Sequence, residues 1–76
     1  MLFLVQYDRQ KGELIKLDTF EDSERRVAEE SRLTLEIYLN RQKIDHEVVL
    51  LQAEDENALR RTHRRYFEDL AELVQG

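Results

Sequence analysis

The sequence predicts a two-layer α+β domain over residues 1–76, a three-stranded mixed sheet of order 2-1-3 with two helices on one face. Three features lead there. Two runs rich in leucine, aromatic and β-branched side chains, 2–7 and 13–19, flank the polar stretch Asp8-Arg9-Gln10-Lys11-Gly12. A long segment of helical periodicity follows. The unbroken apolar run Val48-Val49-Leu50-Leu51 then precedes a second helical segment opened by acidic residues.

The two apolar runs and the polar stretch between them read as a β-hairpin. Gly12 is the only internal glycine, and a short hairpin loop commonly needs one residue at positive φ, where glycine has no Cβ to clash. Phe20 followed by Glu21, Asp22 and Ser23 supplies acidic and hydroxyl N-cap candidates, so a helix is expected from Ser23 to Arg41. On its wheel Val27, Ala28, Ser31, Thr34, Leu35, Tyr38 and Leu39 form the core side, with Arg25, Glu29, Arg32, Glu36 and Asn40 opposite. Leu33 and Ile37 fall on the polar side. They also alternate with Thr34, Glu36 and Tyr38 as a strand would; a helix over 33–39 is expected because no turn signal precedes Leu33. As a helix, it exposes Leu33 and Ile37 as an i, i+4 apolar pair.

Residues 46–53 are expected to form a strand buried on both faces. Glu54-Asp55-Glu56 offers an N-cap and first-turn negative charge for a helix over 56–74. A right-handed crossover through the first helix sets the third strand parallel to the second and, most simply, beside the first. In that arrangement both sheet faces are apolar and the helices cover one. The other face, the sheet edges, or Leu33 and Ile37 are then left for another chain, so a homo-oligomer, a dimer in the simplest case, is expected.

Composition narrows the function. Apolar residues make up 41% of the chain and charged residues 38%, which is the balance of a folded domain. There is no cysteine to form a disulfide, and a chain this small buries only roughly 60% of the surface its unfolded form exposes, which again points to a partner. The net charge of −5 disfavours general affinity for nucleic acid or anionic lipid. Met1-Leu2-Phe3-Leu4-Val5 is too short for a membrane span and lacks the basic flank of a signal peptide, so no membrane association and a cytoplasmic location are expected.

Arg60, Arg61, Arg64 and Arg65 fall on one face of the predicted second helix, and guanidinium forks suit phosphate or carboxylate groups. Glu68 and Asp69 stand four residues beyond Arg64 and Arg65, and Glu72 shares the face, so local ion pairing competes with any ligand. His63 falls between Leu59, Tyr66, Phe67 and Leu70, facing the core, where a carboxylate would be needed to make it a base or a pH switch. The acidic clusters lack the spacing and glycine of a calcium loop, and two of them sit at helix starts. No cofactor and no metal site is expected. The sequence therefore points to a non-enzymatic module that self-associates and binds another protein through Arg60, Arg61, Arg64, Arg65, Leu33 and Ile37. The alternatives are a nucleic-acid-binding module using the arginine face and a small enzyme with a site around His63 at a dimer interface.

Overall fold

In the structure, a computed structural model that describes residues 1–68, the hairpin is built as its residues dictate. Strand β1 spans Leu2–Asp8 and β2 spans Glu13–Phe20. Asp8 closes the turn, its Oδ1 accepting the backbone N–H groups of Gln10 and Lys11 at 3.0 and 3.1 Å. Gly12 takes φ 67° and donates its N–H to the Asp8 carbonyl at 2.8 Å. The pairing shifts by one residue between Gln6↔Lys16 and Tyr7↔Leu14, leaving Ile15 as the extra residue of a β-bulge.

Strand β3 spans His46–Gln52, and the order is β2-β1-β3, as expected. Both pairings of β1 are antiparallel, so the sheet is antiparallel throughout rather than mixed. The crossover still makes β2 and β3 run the same way, but β1 lies between them.

Helix α1 spans Arg25–Arg41 after a 3-10 turn at Asp22–Glu24, so residues 33–39 are helical. At its start the Glu24 carboxylate accepts the Glu21 N–H at 2.9 Å. Its end is a Schellman motif: Lys43 sits at φ 56°, its N–H reaches the Asn40 carbonyl, and the Ile44 N–H reaches that of Leu39. Helix α2 spans Glu56–Thr62, capped by Asp55, whose Oδ1 accepts the Ala58 N–H at 2.8 Å.

The continuous helix expected over 56–74 stops at Thr62. His63 leaves helical geometry at φ −125°, ψ 51°, and a 3-10 turn follows at Arg64–Tyr66; residues 69–74 lie outside the described chain. Two causes act together. The Thr62 hydroxyl donates to the Ala58 carbonyl at 3.0 Å, a back-bond that bends helices, and the contacts of Arg65 and Tyr66 with β3 reward the break.

The second helical segment also lies on the other side of the sheet from α1, not beside it. Alternation puts Phe3, Val5 and Tyr7 on one face of β1 and Leu2, Leu4, Gln6 and Asp8 on the other. The first face packs Val5, Tyr7, Leu14, Leu17, Val49 and Leu51 against Tyr66 and Phe67. The second lies under α1, which borders Leu4 and receives a tie from Gln52. Two apolar faces need two covers, and splitting the helical segments provides them: all seven residues of β1 are buried. The uncovered sheet face expected from a one-sided arrangement therefore does not exist. Among the described residues, no helix is long and apolar enough to cross a membrane.

Candidate functional site

Two polar clusters sit back to back at the end of the sheet where β1 finishes and β3 begins. Glu47 pairs in register with Tyr7 on the Val5 face and is only 12% exposed at its side chain. A carboxylate there needs donors, and three reach it. Arg9 Nε lies 3.1 Å from Oε1, Arg65 Nη2 lies 2.6 Å from Oε2, and the Tyr66 hydroxyl donates to the same Oε2. Burial alone would raise the Glu47 carboxyl, but the hydrogen bonds from Tyr66, Arg9 and Arg65 outweigh it and hold the group below the usual carboxylate range. Burial and the bond to Glu47 push the Tyr66 phenol up. The Arg65 guanidinium stacks 4.2 Å from the Tyr66 ring centroid, and Tyr66 meets Tyr7 edge to face at 5.2 Å.

On the opposite face His46 stands across from Asp8 in register. Gln6 Nε2 lies 2.8 Å from His46 Nδ1, and His46 Nε2 lies 3.5 Å from Asp8 Oδ2. With the Gln6 amide donating to Nδ1, the ring proton sits on Nε2 and faces Asp8. The backbone hydrogen bond from Lys11 holds the Asp8 carboxyl below its ordinary value against the opposing effect of burial, with Gln10, His46 and Lys11 charge adding to the lowering. Both imidazole nitrogens are thus directed at protein groups. Among the described residues every buried side-chain nitrogen or oxygen has a hydrogen-bond partner, and no cluster of metal-ligand side chains occurs. These clusters act as fasteners between elements.

The four arginines do not form one stripe. Arg60 and Arg61 remain on α2, Arg60 pairing with Glu56 at 3.7 Å and lying 4.5 Å over the Phe67 ring. Arg64 pairs with Glu68 at 3.3 Å as its spacing predicts. Arg65 turns away to Glu47; its expected partner Asp69 lies outside the described residues. Arg61 makes no ion pair among the described residues. His63, placed by the wheel in the core, is half-buried at the break, its ring 6.4 Å from that of Tyr66.

Leu33 and Ile37 are exposed as expected, and they are not alone. Val27 (51% exposed) and Tyr38 (55%) share the flank of α1 toward β2, and Leu33 (54%) and Ile37 (45%) share its outward arc, roughly 100° further round the helix. Val27 and Tyr38 were expected in the core; only Ala28 and Leu39 of α1 are buried. The helix leans so that one flank overhangs β2, opening a groove of about 570 Å³ lined by Leu4, Lys16, Asp18, Val27, Thr34 and Tyr38 among others.

Periodicity missed the Glu47 and His46 clusters because both depend on strand register. One signal was present: Glu47 alternates with Val49 and Leu51 onto an apolar face, where a carboxylate requires a partner. No family model, curated protein or solved structure matches this chain.

Proposed function

We propose that the protein is a non-enzymatic binding module that self-associates and docks another protein through the exposed arc of α1. The observation that carries this reading is the i, i+4 pair Leu33 and Ile37 at roughly half exposure on the outward arc, with Val27 and Tyr38 also exposed on the flank that lines the groove. A single exposed leucine is ordinary, whereas an i, i+4 apolar pair with two further exposed apolar side chains on the neighbouring flank is surface of the kind that a partner covers. The internal satisfaction of the polar clusters supports a binding role over a catalytic one. Local ion pairing of Arg60, Arg64 and Arg65, together with the net charge of −5, favours a protein partner over nucleic acid. Arg60, Arg61 and Arg64 lie across the sheet from this arc and form no part of that surface.

The test uses the chain as bait in parallel with Leu33→Glu/Ile37→Glu. These side chains face solvent, so the variant is expected to fold with stability close to that of the parent. A partner protein enriched on the parent by on the order of tenfold or more over the variant is the expected result. Equal capture by both, or binding of duplex or single-stranded nucleic acid with affinity falling steeply in salt, would overturn the reading.

A further inference from the structure

The two edges of the sheet are built differently. β2 carries Glu13, Lys16 and Asp18 and is bent by the bulge at Ile15, all devices that discourage another strand. β3 reads His46-Glu47-Val48-Val49-Leu50-Leu51-Gln52, with no bulge, lysine or proline, and among the described residues nothing pairs with its outer side. Its hydrogen-bond phase is fixed at one end. Met1 and Ala53 exchange both backbone bonds, at 2.9 and 3.0 Å, so the inward-bonded residues of β3 are Glu47, Val49 and Leu51. The N–H and C=O groups of Val48, Leu50 and Gln52 therefore point outward, away from β1.

Alongside that edge α1 presents Arg25, Glu29, Arg32 and Glu36 on one face, in alternating sign; Arg32 Nη1 lies 3.2 Å from Glu36 Oε1 within the helix, and both side chains stay about 39% exposed and open to further partners. Arg25, Glu29 and Arg32 border Val48–Leu51, and Glu36 borders His46–Val49. Arg25 Nη2 is tied to Gln52 Oε1 at 3.0 Å, which sets where the helix lies along the strand. Such a stripe is complementary to itself under a two-fold axis, since reversal places each arginine against a glutamate. The midpoint of the Arg25–Glu36 span lies about 8 Å along the helix from Arg25, and Leu50 lies roughly 7 Å along the strand from Gln52. One axis serves both elements.

We propose that a second copy of this chain occupies the β3 edge, pairing antiparallel about Leu50 so that Val48 bonds Gln52 of the partner subunit across a continuous six-stranded sheet. The two α1 helices then lie side by side, with Arg25 against Glu36 of the partner subunit and Glu29 against Arg32 of the partner subunit. This rests on the self-association part of the function proposed above and places it on a surface separate from the Leu33–Ile37 arc.

Solution mass by light scattering and sedimentation, across protein concentration, tests it on four forms: the parent chain, Gln52→Pro, Arg32→Glu, and Glu29→Arg/Arg32→Glu. Proline at position 52 removes an outward N–H and the exposed Arg25 tie but no bond to β1, and the charge variants alter only partly exposed side chains; circular dichroism checks each fold. The parent is expected to reach twice its 9.2 kDa mass. Gln52→Pro and Arg32→Glu are each expected to raise the dimer dissociation constant on the order of tenfold or more, and the double charge reversal to restore it to within about threefold of the parent. A parent that stays monomeric at every concentration overturns both this proposal and the self-association reading. A dimer that is unmoved by Gln52→Pro and by Arg32→Glu overturns the β3 assignment and leaves self-association standing. Should Gln52→Pro fail to fold, the charge pair decides alone.

Discussion

Glu47 shares a sheet face with Val49 and Leu51, and the fold tolerates its charge because three donors from two separate parts of the chain, the hairpin loop and the Arg64–Tyr66 turn, converge on it. Removing that charge leaves Arg65 and Tyr66 facing a weaker acceptor. Glu47→Gln is expected to lower unfolding free energy by about 1–3 kcal/mol, measured by urea denaturation at neutral pH. The pH dependence follows from the direction of the shifts. Folding holds the Glu47 and Asp8 carboxyls below their ordinary values, so the unfolded chain binds more protons on acidification. The stability they contribute is complete above the ordinary carboxylate range and is lost as pH falls through the lowered, folded-state values. Glu47→Gln should flatten this acid limb, and an unchanged slope would mean that Glu47 is not what acid releases. Residues of this kind are poorly legible in sequence, because Arg9, Glu47 and Arg65 meet only once register and the break at His63 are known.

Single elements were far more readable. The strands, the helix to Arg41 and the Asp55 cap follow from apolar runs and capping chemistry, which are local. The close of α1 is the exception. No glycine marks it, and Lys43 occupies the left-handed region at φ 56°, a conformation that costs a non-glycine residue roughly 1–2 kcal/mol. Lys43→Gly relieves that cost while adding freedom to the unfolded chain, and a net gain of about 0.5–1 kcal/mol is expected by thermal or urea unfolding. The premature end of α2 was illegible for the opposite reason: its residues are good helix formers, and the break is driven by what Arg65 and Tyr66 find on β3. Local preference yields there to tertiary contact.

At the scale of the whole molecule, class and strand order could be read from the sequence, while the placement of the layers could not. Periodicity shows that β1 and β3 are apolar on both faces, and it is silent on which cover each face receives. Splitting the helical segments between the faces satisfies both without a second chain. What remains for other molecules is the arc of α1 and the open edge of β3, and these point in different directions. A dimer formed at the edge would therefore carry two copies of the arc, a bivalent arrangement in which a partner with two binding segments gains by effective concentration.

The bulge at Ile15 has a consequence for how far assembly can go. With one edge open and the other bent, the sheet offers one site for strand pairing, and the proposed dimer would use it. In the proposed dimer, growth by strand pairing would then stop at two copies, because no second receptive edge remains among the described residues. Deleting Ile15 would bring Gln6↔Lys16 and Tyr7↔Leu14 into an unbroken ladder and straighten β2. Sedimentation of that deletion variant is expected to show species larger than a dimer, increasing with concentration. A single extra residue would then be what separates a closed pair from a filament.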